Sequence, residues 1–213
     1  MGILQRIQNK LYVDLNPWFR KHVVNPRNRL RLKTSSVSIL SSNCIGACIS
    51  HDLGLQFNSP FVNLWLYPKD FIKYCQDIMH YIHSELHFYD DKSVNYPVAK
   101  LDDITIYFMH YHSVEEARQK WIERSQRINP RKVCCILAER DGCTNEDLLT
   151  FSRLPYPTVS LVHKPLMDIS NTVYIPGFEQ DKELGNVMEF RKHQYYGHRY
   201  YDAWDYVSFI NTI

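Results

Sequence analysis

Short apolar runs alternate with amphipathic stretches of helical period along most of the chain. The apolar runs predict strands at Ser36–Ser42, Phe61–Leu66, Ile104–Tyr111, Lys132–Ala138, Thr158–Val162 and Val173–Ile175. Helices are predicted at Cys44–Leu53, from Pro68 to about Leu86, from Ser113 to Asn129, after Thr144, and at Tyr200–Ile213. Strands alternating with helices of this length predict an α/β fold of three layers, α/β/α. We expect its central sheet to be mostly parallel, and the last two predicted strands, near Thr158 and Val173, could run antiparallel at an edge.

The first 33 residues differ from the rest of the chain in charge. Their eight Lys and Arg residues face a single acid, Asp14, and their apolar residues recur at near-helical spacing. We therefore predict a basic amphipathic helical segment over residues 1–33 and a single α/β domain over residues 34–213. Such a helix either lies on an anionic membrane surface or packs on the domain with its basic face in water.

Composition narrows the class of protein without naming a reaction. A chain of 213 residues can bury a substantial core, and a net charge of +2 is too small to predict a nucleic-acid partner. The six cysteines form no C-x-x-C pair, and no secretion signal or membrane-spanning run is visible. We therefore expect a cytoplasmic protein with reduced thiols, and peripheral contact at the inner membrane face if residues 1–33 bind lipid.

Ligands of open α/β sheets usually bind beyond the carboxyl ends of the strands, so residues at those positions are the first candidates. At the first such corner, Asn43 to Gly46 lead from a strand into a helix. Free amides and the helix dipole would suit a phosphate there, and the same field would lower the pKa of Cys44 and favour a nucleophile. Alternatively, Asn43 only caps the helix and Cys44 is a small packed residue.

The second corner carries two alternating histidines, His110 and His112, at the end of a strand. A histidine in this position can act as a general base near neutral pH, and it can equally be an ordinary hydrogen-bonded side chain. Alternation sends the two rings to opposite faces, which disfavours a metal held by both. Asp103, near the start of the same strand, is a second candidate for activating an acceptor hydroxyl.

The third corner places Glu139 and Asp141 directly after the longest apolar run. Two carboxylates at this spacing can share a divalent cation such as Mn²⁺ or Mg²⁺, as in transferases that hold the diphosphate of a sugar donor. They could also form a solvated turn or pair with Arg140. Arg140, Arg124 and Arg127 are candidates for binding the donor phosphates, although the last two could simply complement the dipole of a helix end.

These corners belong to an ordered set of motifs that resembles a known bacterial family. The set comprises Ser41–Gly46, Leu53–Leu55, Ser59–Phe61, Tyr96–Val98, Leu101–Ile104, His110–Tyr111, Glu116 to Asn129 and Arg140–Thr144. In this order the motifs resemble a domain found in exopolysaccharide and capsule biosynthesis proteins, over about residues 36–165. The family pattern often has aspartate where this chain has Glu139, and the longer side chain changes the geometry available to a metal.

The resemblance implies surface-polysaccharide biosynthesis, and a glycosyltransferase with a nucleotide-sugar donor is the leading hypothesis. Glu139 and Asp141 would hold the donor or its metal, and His110 or Asp103 would activate a lipid-linked or growing glycan acceptor. The Asn43–Gly46 corner and the arginines would receive phosphate. Two alternatives remain open: an O-acyltransferase with Cys44 as nucleophile and His110 as base, and a scaffold that binds a sugar phosphate without turnover.

Overall fold

The computed structural model describes residues 12–213. Residues 12–19 are helical and continue through a π-helical turn, Arg20–Val24. The elements that follow are α1 (Asn25–Arg31), β1 (Ser38–Ser41), α2 (Ile45–Leu53), α3 (Pro68–Gln76), α4 (Ile78–His83), β2 (Leu86–Tyr89), β3 (Val98–Leu101), β4 (Ile104–Tyr107), α5 (Val114–Ser125), β5 (Val133–Ala138), α6 (Asn145–Ser152), β6 (Thr158–Val162), β7 (Thr172–Tyr174), a 3-10 turn (Tyr200–Ala203) and α7 (Tyr206–Ile210).

The central sheet has four parallel strands in the order β1-β5-β6-β7. This confirms the predicted α/β class with a mostly parallel sheet. The late strands β6 and β7 are parallel to their neighbours. The antiparallel pairing lies instead in a separate sheet of order β2-β3-β4.

Both faces of the parallel sheet are covered, as the unbroken apolar run of β5 requires. Alternate β5 residues belong to two different cores: Val133, Cys135 and Leu137 to one, and Cys134 and Ile136 to the other. The first core also contains apolar residues of α3 to α6 and of the small sheet. The second core is formed with α2 and the C-terminal residues from Leu184 onward.

Three predicted elements are wrong, and each has a local cause. The predicted terminal helix Tyr200–Ile213 divides into a 3-10 turn and α7, because Trp204 is extended and Asp205 caps α7 by accepting a hydrogen bond from the Ser208 amide. The predicted strand Phe61–Leu66 is a buried, irregular segment, because Asn63 takes a left-handed conformation with φ of 63°. The predicted long helix from Pro68 breaks at Asp77, whose side chain accepts a hydrogen bond from the His80 amide and begins α4. A buried apolar run alone cannot distinguish these outcomes from a strand or a continuous helix.

The described part of the basic N-terminal segment packs on the body of the protein. Arg20 is buried and binds the carboxylates of Asp52 at 2.5 Å and Asp202 at 2.7 Å. Residues 1–11, with the first part of the predicted amphipathic helix, lie outside the described residues. None of the helices in residues 12–213 combines the length and the apolarity needed to cross a bilayer.

Candidate active site

A cleft of about 270 Å³ opens at the carboxyl ends of β1 and β5. Five of the residues singled out in the sequence line it: Asn43, Cys44, His110, Arg140 and Asp141. Its remaining wall is formed by Trp65, Met109, Asn186 and Met188. The corners after β1 and β5 meet because these strands are parallel and end at one edge of the sheet. His110 reaches the same cleft from the end of β4, in the separate antiparallel sheet.

At the first corner, two backbone amides at the start of α2 already donate hydrogen bonds to side chains of the protein. The Ile45 amide donates to Asn43 Oδ1 at 3.0 Å, and the Gly46 amide donates to Ser41 Oγ at 2.9 Å. A Cβ at Gly46 would lie 2.7 Å from Ser41 Oγ, so a glycine is needed for this close approach. The structure thus favours the capping role of Asn43 over a phosphate seat on these two amides.

The predicted activation of Cys44 by the helix field is wrong. Burial raises the pKa of this thiol to about 11, and the neighbouring Cys48 adds to the shift. The thiol lies 3.8 Å from the Leu64 carbonyl, to which it donates. Cys44 therefore lines the cleft as a neutral thiol at physiological pH.

His110 lies on the rim of the cleft with its ring exposed to solvent. Its backbone amide donates to the Asn63 carbonyl at 3.2 Å, which fixes the main chain just beyond β4. Its imidazole makes no hydrogen bond to any residue in the described range, so it remains available to a substrate. Asp103 lies at the other end of β4, where it pairs with Lys73 at 2.6 Å, and it does not line the cleft.

The two carboxylates after β5 have different partners. Glu139 forms a short contact with the ring of His163, the residue that follows β6, and it also accepts from the His163 amide. Asp141 reaches the cleft because it and Gly142 take left-handed conformations, with φ of 57° and 80°. Arg140 Nε lies 3.1 Å from the Asp141 carboxylate. Within residues 12–213, no three His, Cys, Asp or Glu side chains come together as a metal cage.

Arg124 of α5 and Arg127, in the turn after it, make different contacts in the structure. Arg127 pairs with Glu123 one helical turn earlier, and this pairing uses its charge within the helix. Arg127 Nη1 also donates to the Phe57 carbonyl at 3.5 Å, and the Arg124 guanidinium lies over the ring of the same residue. Of these two predicted phosphate ligands, only Arg124 lines a second cavity, which adjoins the cleft at Cys44.

Sequence reasoning did not identify the residues that the C-terminal segment contributes. Asn186 and Met188 close the cleft because the Leu184 amide donates to the Glu139 carbonyl at 2.8 Å and holds this segment at the sheet edge. No local pattern signals such a long-range contact. His163 could have been identified from the sequence, because it directly follows a predicted strand at the same edge of the sheet.

Two comparisons with known proteins cover the site. A family model described as "Domain of unknown function (DUF1919)" matches residues 16–211. A protein of Haemophilus influenzae, described as an uncharacterized protein, is 40% identical over 207 residues, which cover 92% of this chain and 99% of that protein. Neither match names a pathway, so the link to surface polysaccharides stays a prediction from the sequence motifs.

Proposed function

The chain belongs to the DUF1919 family, and from its sequence motifs and the geometry of the cleft we propose a transferase of bacterial surface-polysaccharide biosynthesis. Its donor would be a nucleotide sugar, and its acceptor a lipid-linked or growing glycan. The observation that carries the proposal is the meeting of His110, Arg140 and Asp141 around one cleft at the carboxyl edge of a parallel sheet. That edge is where α/β proteins bind their ligands.

The cleft supplies the groups that glycosyl transfer requires. The acceptor oxygen forms a bond to the anomeric carbon of the donor while the bond from that carbon to the phosphate oxygen breaks. His110 takes the proton of the acceptor hydroxyl, and the nucleoside diphosphate leaves with the electron pair. Arg140 neutralises charge on the leaving group, and Asp141 is placed to accept a hydroxyl of the sugar.

The residues present offer little support for a protein-held metal. The Glu139 carboxylate is occupied by His163, which leaves Asp141 as the one carboxylate of the predicted pair that lines the cleft. Mn²⁺ or Mg²⁺ stays a proposal in which Asp141 and the donor phosphates share the cation. The transfer step described above does not depend on it.

A stabilisation screen tests the proposed donor class. We expect one group of nucleotide sugars to raise the Tm of the protein by a few degrees at concentrations well above Kd, because a ligand that binds only the native state stabilises it by mass action. Differential scanning fluorimetry with sugars, nucleoside diphosphates and acyl-coenzyme donors, with and without Mn²⁺, measures this.

The controls separate the remaining hypotheses. Arg153→Gln changes an exposed charge outside the cleft and should leave the shift unchanged, whereas Asp141→Asn should remove any part of the shift that needs Mn²⁺. If only acyl-coenzyme donors stabilised the protein, acyl transfer would become the favoured hypothesis in place of glycosyl transfer. A shift with a sugar phosphate but no turnover with any acceptor would leave a binding scaffold.

We also propose peripheral contact with the inner membrane face through the N-terminal helices. Trp18, Val23 and Leu30 are exposed there, Leu30 by 89%, beside the exposed cations Lys21 and Arg27. We expect the protein to sediment with vesicles containing phosphatidylglycerol, and a Trp18→Ser, Leu30→Ser variant to bind several-fold less. Met167→Ser, at an equally exposed apolar residue elsewhere, is the control. Equal binding to neutral phosphatidylcholine vesicles would contradict the proposal.

A further inference from the structure

A second cavity, of about 290 Å³, adjoins the cleft along one face of α2. Cys44, Cys48 and His51 form its floor at helical spacing, and Arg124 and Arg199 lie in its walls. Cys44 lines both spaces. A ligand in the cleft can therefore extend over α2 without leaving the protein surface.

The side chain of Arg124 is held in place by a hydrogen bond from one of its nitrogens and by contact with an aromatic ring. Its Nη1 donates to the Tyr111 hydroxyl at 2.6 Å, and that hydroxyl donates to the Val62 carbonyl at 2.8 Å. Its guanidinium carbon lies 5.7 Å from the centre of the Phe57 ring. Among the described residues no acceptor takes a hydrogen bond from Nε or Nη2, so this group keeps donors for a ligand.

Arg199 is held in a similar way on the C-terminal segment. Its Nη1 donates to the Met188 carbonyl at 2.6 Å, and its guanidinium carbon lies 5.2 Å from the centre of the Phe190 ring. Its Nε is buried and has no hydrogen-bond partner in the described part of the chain. Its Nη2 makes no hydrogen bond to a described residue either and, unlike Nε, is not buried, so Nη2 is the donor that remains for a ligand.

The lining of the cavity carries more positive than negative charge, because two arginines face a single carboxylate, Asp52. Asp52 Oδ2 is bound by Arg20 at 2.5 and 2.8 Å and by the Tyr201 hydroxyl, and its Oδ1 accepts from Asn25 Nδ2 at 3.0 Å. Burial raises the pKa of Asp52, and the hydrogen bonds and charge of Arg20 outweigh this and hold that pKa below its usual value. Neither Arg124 nor Arg199 forms a direct ion pair with a carboxylate of the described residues, although the charge of Arg199 also helps to lower the pKa of Asp52.

We propose that this cavity is the diphosphate subsite of the transferase, with Arg124 and Arg199 as its two phosphate ligands. The inference rests on the proposed function, because the adjoining cleft would then hold the sugar. Two guanidinium groups with fixed orientation suit the bridged oxygens of a diphosphate, which they bind through paired charge-assisted hydrogen bonds. Together the cleft and the cavity reach the several hundred Å³ that is roughly typical of ligand sites.

Titration calorimetry with inorganic pyrophosphate tests the subsite on the full chain. We expect the wild type to bind pyrophosphate more tightly than orthophosphate, and Arg124→Gln and Arg199→Gln each to raise Kd at least about tenfold. Arg131→Gln is the matched control, because Arg131 is exposed and lines neither space. The unfolding midpoint of each variant, measured without ligand, shows whether the protein still folds.

The outcomes for the subsite and for the transferase differ. Unchanged pyrophosphate affinity in folded Arg124→Gln and Arg199→Gln variants, or no binding by the wild type at millimolar concentration, overturns the subsite and leaves the cleft hypothesis intact. Pyrophosphate binding that depends on both arginines supports the subsite even where no nucleotide sugar binds. Failure of every nucleotide sugar to bind would contradict the transferase proposal and leave the pyrophosphate site intact.

Discussion

Replacing His110 with alanine is expected to lower the rate of sugar transfer by roughly 10²- to 10⁴-fold, the usual contribution of a positioned general base. The imidazole lies on the rim of the cleft with both ring nitrogens free of described partners, while its backbone is fixed by the Asn63 carbonyl. Steady-state kinetics with the donor found in the stabilisation screen measure this. The loss should fall on kcat, with donor affinity nearly unchanged, because the ring acts on the acceptor proton.

Two variants serve as controls for His110. His112→Ala removes an exposed histidine two residues away that does not line the cleft, and it should retain the wild-type rate. Cys44→Ala removes the neutral thiol and should cost much less than His110→Ala. If Cys44→Ala abolished turnover as completely as His110→Ala, the result would favour acyl transfer with Cys44 as nucleophile and His110 as its base, with the raised pKa of the thiol overcome in the substrate complex.

Much of the parallel sheet could be predicted because its strands carry a strong local signal. The run Val133–Ala138 is apolar at every position, and it forms a strand that is buried on both faces. The β2–β3 hairpin carried no such signal. Its strand Leu86–Tyr89 mixes histidine and tyrosine with apolar residues and is buried at only one position, so tertiary packing alone distinguishes it from a loop.

The site could be predicted only where it consists of strand ends. Asn43 and Asp141 follow parallel strands, and the rule about carboxyl edges brings them together. His110 follows a strand of the antiparallel sheet, and the bridge between Trp65 and Tyr107 holds the end of that strand beside the cleft. Arg199 lies in a stretch rich in cations and tyrosines that follows no strand. Tyr200 and Tyr201 are buried in the second core, and Arg199, which precedes them, lines the cavity along α2. Such a consequence of core packing has no counterpart in local sequence.

The same packing explains why the N-terminal helices adjoin the candidate site. Cys44, Cys48, His51 and Asp52 occupy one face of α2, and a third hollow of about 470 Å³ continues from Arg199 to Arg20 and Lys21. The cleft, the cavity and this hollow therefore form a cationic path along α2.

The buried guanidinium of Arg20 joins three parts of the chain, and Arg20→Gln is expected to lower the free energy of unfolding by about 3–5 kcal/mol. The side chain is only 4% exposed and binds Asp52, Asp202, the Gly197 carbonyl and the Tyr201 hydroxyl. Without it, two buried carboxylates lose their counter-charge. For a chain of this size the Tm should fall by roughly 10 °C, which thermal and urea denaturation would measure.

Arg31→Gln is the matched control, because Arg31 makes a single ion pair with Asp205 in which both side chains are about half exposed. Exposed pairs of this kind contribute about 1 kcal/mol or less. A similar loss in both variants would show that Arg20 contributes only as a surface charge.

The pH dependence of unfolding distinguishes loss of charge pairing at Arg20 from loss of packing. In the wild type the pKa of Asp52 is lowered, so its contribution is complete above about pH 5 and is lost as pH falls through the folded-state pKa. In Arg20→Gln, burial of Asp52 is opposed by the Tyr201 hydrogen bond and the charge of Arg199 but no longer by Arg20, so we expect the pKa of Asp52 to be higher than in the wild type. The difference in stability between wild type and variant should therefore shrink as pH falls below about 5, where the wild type loses the contribution of Asp52. A parallel loss at every pH would mean that Arg20 acts through packing alone.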